Sequence, residues 1–132
     1  MRKSRDGIGG QVSTNNQNSK RYDLEDRTLE FGKRIIRLCQ NLPKNGINFK
    51  LIDQIIHSGA SIGANYREAN ETETKKDFQF RIRICRKETK ETTYWLQLIT
   101  EANPTLTEKI NPLIQETKEL IKIFAAILEK TK

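Results

Sequence analysis

His57 is the only histidine of this chain, and Cys39 and Cys85 are its only cysteines. A single imidazole rules out any His–His metal site. The two thiols lie far apart, with no C-x-x-C or other zinc-ligand spacing. They read as free, buried thiols of a protein kept in a reducing compartment. Asn65 and Glu68 fall one helical turn apart, and Glu71 and Glu73 follow. Paired carboxylates can do acid–base work. Here helix-end hydrogen bonding and solvated charge explain them more simply. His57 reads as a surface or interface residue rather than a base. No G-x-x-x-x-G-K-[ST] phosphate loop, G-x-S-x-G elbow or H-E-x-x-H pair occurs. The expectation is therefore a non-enzyme, with no catalytic residue, no metal and no cofactor.

A different chemistry, that of close packing, is written into Ser58–Asn70, SGASIGANYREAN. Ser58, Gly59, Ala60, Ser61 and Gly63 are all small, yet apolar residues at helical spacing (Leu51, Ile52, Ile55, Ile56) lead into them. Each glycine inside a helix costs about 1 kcal/mol relative to alanine. Gly59 and Gly63 share a face, one turn apart, so something must come very near them. Gly59, Ser61, Gly63, Asn65 and Glu68 are expected to serve helix packing, with Asn65 and Glu68 organising the helix end or an interface.

The elements that position these residues follow from periodicity. With 132 residues, 35% apolar and 31% charged, the chain is one domain with charged outer faces. Valine occurs once, at Val12, which argues against a sheet. The fold class is all-α, an antiparallel up-down-up-down four-helix bundle over residues 22–132. Leu24, Thr28, Phe31, Ile35, Leu38 and Leu42 form the first 4-3 stripe, ended by Pro43 and Gly46. Asn48 is the expected cap of the second helix, with Ile47 and Ile52 as a hydrophobic staple. Thr74 is expected to cap the third helix in a reciprocal capping box with Asp77. The third helix's core positions are Phe78, Ile82, Cys85, Thr89, Thr92, Leu96 and Ile99. The fourth carries Leu106, Ile110, Leu113, Thr117, Leu120, Phe124 and Ile127, with Pro112 either opening the main helix behind an Asn111 cap or kinking an early turn.

The third helix carries two further features. Phe80, Ile84, Tyr94, Trp95 and Leu98 fall opposite its core stripe, an apolar surface expected to be an oligomer interface. Between the two apolar faces run Lys76, Arg83 and Lys90 at intervals of seven, with Lys75, Arg86 and Lys87 beside them. This ridge is the candidate nucleic-acid-binding site; Arg81 points elsewhere. The net charge is +7, and residues 1–21 hold five basic residues against one acid. The remainder carries 19 basic residues against 16 acids, so the folded part is only mildly basic. Repeated around an oligomer, the ridge could neutralise many phosphates. No base-reading module accompanies it, so recognition should rest on backbone and shape. Residues 1–21 are too poor in apolar side chains to fold and are expected as a disordered basic tail. The N-terminus lacks the apolar core of a signal peptide and no apolar run spans a membrane, so a cytoplasmic protein with no membrane partner is expected.

SGASIGANYREAN, followed by KKDFQFRIRICRKETKETTYWLQL (Lys75–Leu98), resembles the bacterial four-helix-bundle family associated with intervening sequences of 23S ribosomal RNA. Leu42-Pro43 and ELIKI (Glu119–Ile123) fit the same pattern. The resemblance covers about residues 22–130 and rests on Ser61, Ile62, Asn65, Glu68 and the KDF and ETxxWL strings. It implies a small antiparallel bundle that assembles with itself into a ring, a pentamer, with nucleic-acid association proposed and the biochemical role generally unknown. Some relatives are accessory proteins of diversity-generating retroelements, which implies a reverse transcriptase as a further partner.

Overall fold

The computed structural model describes residues 16–132 as four long helices joined by short connections: α1 (Asn16–Asn41), α2 (Gly46–Asn70), α3 (Lys75–Ala102) and α4 (Thr107–Lys130). A single 3-10 turn, Pro104–Leu106, leads into α4. Along the chain each helix packs on the next, and α1 closes on α4. Pairings run in opposite directions at every such seam. Gly59 and Gly63 of α2 meet Ile35 and Thr28 of α1. Ser58 and Asn65 meet Thr92 and Arg81 of α3. The result is the expected antiparallel up-down-up-down bundle.

The 4-3 stripes form the core. Leu24, Phe31, Ile35, Leu38 and Leu42 are buried, as are Ile55, Ile62, Tyr66, Ile82, Leu96, Ile99, Ile110, Leu120 and Phe124. Phe78, Leu106 and Ile127, at stripe ends, are only partly buried. Threonines at core positions lose nothing by burial because each hydroxyl donates to its own helix. Thr28 donates to Leu24 O (2.9 Å), Thr89 to Cys85 O (2.7 Å) and Thr117 to Ile114 O (2.7 Å). At the α1–α4 seam Arg27 grips Glu116 with two parallel bonds of 2.7 and 2.9 Å. The same pairing raises the Arg27 pKa above its ordinary value.

Several boundaries differ from expectation. α1 begins at Asn16, so residues 16–21, expected in the tail, are helical. Extending an existing helix needs no new nucleus. Residues 1–15 of that tail lie outside the described residues. The α2 cap is Asn45, whose side chain accepts from Asn48 N at 2.8 Å. Asn48 itself is buried, and it exchanges bonds of 3.0 and 2.9 Å with Asn103 at the start of the α3–α4 connection. Ile47 is 66% exposed, so no staple forms. Thr74 caps α3 as expected, accepting from Asp77 N at 3.1 Å. α4 is already helical from Thr107, and Pro112 lies inside it, so Asn111 caps nothing. The bond that Pro112 cannot make would fall on Glu108, an exposed residue whose carbonyl can be hydrated.

Candidate nucleic-acid and subunit interfaces

α3 presents different chemistry on each flank. Its α2-facing flank carries Arg81, Glu88 and Trp95 at intervals of seven; Arg81 donates to Asn65 Oδ1 at 2.9 Å. Arg81 therefore leaves the basic ridge, as expected. Its outer surface carries Lys76, Arg83, Lys87 and Lys90, all exposed. Arg86 is half-buried on the α4 side, and Lys75 is exposed, its ammonium donating to the Lys132 carbonyl at 2.9 Å.

Lys75, Arg83 and Arg86 edge a groove between α3 and α4, completed by Gln79, Leu128 and Glu129. Gln79 bonds to Thr131 across it. The predicted cations are thus brought together, four on the crest and two on the shoulder. Counter-charge is sparse. Lys87 Nζ lies 3.6 Å from Glu88 Oε2, and Glu129 pairs with Lys132 at 3.0 Å. Such exposed pairs hold their cations loosely, at about 0–1 kcal/mol each, leaving them available to phosphate oxygens.

The predicted subunit face divides. Phe80 and Tyr94 are 57% and 54% exposed. Ile84 and Leu98 are half-buried, while Trp95 packs against the core and meets Tyr94 edge-on with ring centroids 5.1 Å apart. Trp95 therefore belongs mostly to its own bundle, since its flank faces α2 rather than solvent. A second apolar surface escaped sequence reading: Leu29 and Ile36 of α1 and Phe49 and Ile56 of α2 are all exposed. Each pair is spaced by seven on the flank bordering the α1–α2 seam. That spacing was the available signal, but it was masked by the stronger core stripe beside it.

The packing residues also divide. A Cβ at Gly59 would stand 3.3 Å from Ile35 Cγ1, and one at Gly63 would stand 3.1 Å from Thr28 Oγ1. These two glycines admit α1. On the other side of α2 the Ser58 and Thr92 hydroxyls pair at 2.9 Å, so the segment is packed on two sides. Asn65 Nδ2 donates to Ser61 O (2.9 Å) while its Oδ1 receives Arg81. Ser61 is half-buried and bonds only within its helix, donating to His57 O at 2.6 Å. Glu68 and His57 are exposed.

Nothing resembling an active centre accompanies these surfaces. Cys39 and Cys85 are free and buried, and burial pushes their thiols up to about 11 and about 12. Among the described residues no group of His, Cys, Asp and Glu could hold a metal ion, and no helix is long and apolar enough to cross a membrane.

Comparison with known proteins bears on the whole assembly of features. Curated proteins provide no match. A crystal structure at 1.70 Å resolution, of a protein of unknown function from the S23 ribosomal protein family of Bacteroides thetaiotaomicron VPI-5482, superimposes with a TM-score of 0.76. It is 34% identical, and the match covers 83% of this chain and 98% of that one. The family model described as 23S rRNA-intervening sequence protein matches residues 20–126, spanning α1 to α4 almost entirely. With its bundle, its glycine seam and its α3 strings in place, the chain belongs to the 23S rRNA-intervening sequence protein family.

Proposed function

We propose that this chain is a non-enzymatic, homo-oligomeric bundle that binds structured RNA or other nucleic acid through phosphate-backbone contacts. The observation that carries the reading is the α3 crest. Lys76, Arg83, Lys87 and Lys90 are exposed on one surface, with Arg86 and Lys75 on its shoulder and little opposing charge. A rigid helix fixes the crest cations at 7-residue intervals, about 10.5 Å apart. Such an array suits a polyanion better than a compact acidic ligand. The family description names 23S rRNA, which agrees in ligand class.

Replacing Arg83, Arg86, Lys87 and Lys90 together by Glu tests the site. Gel shifts with a structured RNA hairpin over a salt series should show tight, steeply salt-dependent binding for the native chain and none for the variant. Far-UV circular dichroism should stay unchanged, because no core residue is altered. Equal binding by the variant would sink the assignment.

Self-association is supported by the exposed Phe80 and Tyr94 and by the separate Leu29, Ile36, Phe49 and Ile56 surface. Two unlike apolar surfaces on one bundle suit head-to-tail contacts, which close into rings when the rotation permits, a pentamer among them. Light scattering tests this directly against the 15.3 kDa chain mass; a monomer at micromolar concentration contradicts it. The Phe80–Tyr94 surface also favours a second reading, an adaptor that docks a reverse transcriptase or another nucleic-acid enzyme. Co-precipitation that survives nuclease treatment and is lost on Phe80→Ser would favour that reading.

A further inference from the structure

Glu88 is the one buried side chain among the described residues that the fold leaves incomplete. Its side chain is only 10% exposed, and its Oε1 has no hydrogen-bond partner. The other oxygen has only Lys87, at 3.6 Å, and the Lys87 side chain is itself 63% exposed. Buried acceptors without donors are few in any native protein, and each asks for an explanation.

Its position supplies one. Arg81, Glu88 and Trp95 form a row on the flank of α3 that faces α2. The contacts of Cys85 Sγ with Ile62 O and of Thr92 with Ser58 bracket Glu88. They set its carboxylate at the level of Ala60 and Ser61. On the outward surface of α2 between His57 and Arg67, the positions are Ala60, Ser61 and Ala64. Both alanines are exposed and Ser61 is half-buried. The α2–α3 seam is therefore a shelf of very short side chains, bordered by the apolar Ile84 and the exposed Phe80. Small residues of this kind let a second helix come close, and the orphan carboxylate oxygen marks the polar point on the shelf.

We infer that this shelf receives a second copy of the chain, which delivers a guanidinium or ammonium group to Glu88. The inference rests on the proposed self-association and names the surface and the polar latch within it. A second copy fits because the chain carries 24 Lys and Arg against 17 Asp and Glu. Two net-positive copies repel one another unless an acidic group lies where they meet. Glu88, set among Arg83, Arg86, Lys87 and Lys90, is a buried acid on an otherwise cationic helix. A charge-assisted bond from an incoming cation would satisfy Oε1.

The test measures solution mass by light scattering along a dilution series for the native chain, Glu88→Gln and Ala64→Trp. Ala64 is exposed, so its variant should fold normally, and circular dichroism checks this for both. The native chain should be a multiple of 15.3 kDa. Glu88→Gln should dissociate at a concentration at least tenfold higher, and Ala64→Trp should be monomeric throughout. A monomeric native chain overturns self-association and the latch together. An oligomeric native chain whose Glu88→Gln variant dissociates at the same concentration overturns the latch and leaves self-association standing. If Glu88→Gln does not fold, an oligomeric Ala64→Trp overturns the shelf.

Discussion

Gly63→Ala is the perturbation that most directly tests the α1–α2 seam. A methyl group at 63 would lie 3.1 Å from Thr28 Oγ1, 3.3 Å from its Cβ and 3.5 Å from its backbone carbonyl carbon. Thr28 has little room to yield, because it is 2% exposed and its hydroxyl is bonded to Leu24 O. Helix propensity alone favours alanine by about 1 kcal/mol. Overpacking of this kind typically costs about 1–3 kcal/mol. The expected net effect is a loss of about 1 kcal/mol, within a range of roughly 0–2. Gly32 provides the control on the partner helix: a Cβ there would meet nothing within 4 Å. Gly32→Ala should therefore gain about 1 kcal/mol, from propensity and a less flexible unfolded chain. The two variants should differ by about 2 kcal/mol, or roughly 6–10 °C in Tm for a chain of this size. Thermal unfolding followed by circular dichroism at one fixed protein concentration measures the gap, since self-association makes Tm depend on concentration. If Gly63→Ala is as stabilising as Gly32→Ala, the close approach of α1 to α2 is refuted.

Three further outcomes are expected. Asn48→Ala strands the Asn103 amide in a buried site and should cost about 1–3 kcal/mol. The Asn48→Ala/Asn103→Ala double variant should cost less than the two single losses added together, a non-additivity that urea titrations of the full cycle would reveal. Thr74→Ala removes the α3 cap bond to Asp77 N and should cost about 1 kcal/mol by the same titration. Cys39 and Cys85 should resist a disulfide reagent at pH 8 in the native state and react once the chain is unfolded. Their folded pKa values, about 11 and about 12, lie above the ordinary 9.0. The unfolded chain thus loses these protons first, and stability should be constant below pH 9 and fall as pH rises towards 11. A urea midpoint that rises across that window would contradict thiol burial.

How far the sequence reaches can be judged residue by residue. The 4-3 stripes of α1, α3 and α4 were legible because a period of 3.6 is a property of one helix and needs no partner. The Thr74 cap was legible for the same reason, since it acts on an amide three residues away. Gly59 and Gly63 announced a close approach, although not that Ile35 and Thr28 would make it. Asn48 shows where local reading stops. Its position after Gly46 suits a cap, yet its partner Asn103 lies 55 residues away and Asn45 does the capping. Glu88 is the sharper case, because within the string RKETKE nothing separates it from its solvated neighbours.

By itself, then, the sequence determined the helices, their inward stripes, the cationic crest of α3 and the family. The tertiary structure alone decided which flank of each helix meets which neighbour. It turned Trp95 inward and left Phe80 and Tyr94 outside. It also exposed Leu29, Ile36, Phe49 and Ile56 together and buried the Glu88 carboxylate without a donor. The physical reason is that periodicity fixes directions around one helix axis. Burial and partnership depend on the rotation and register of separate helices, and those are set only when all four stripes pack at once.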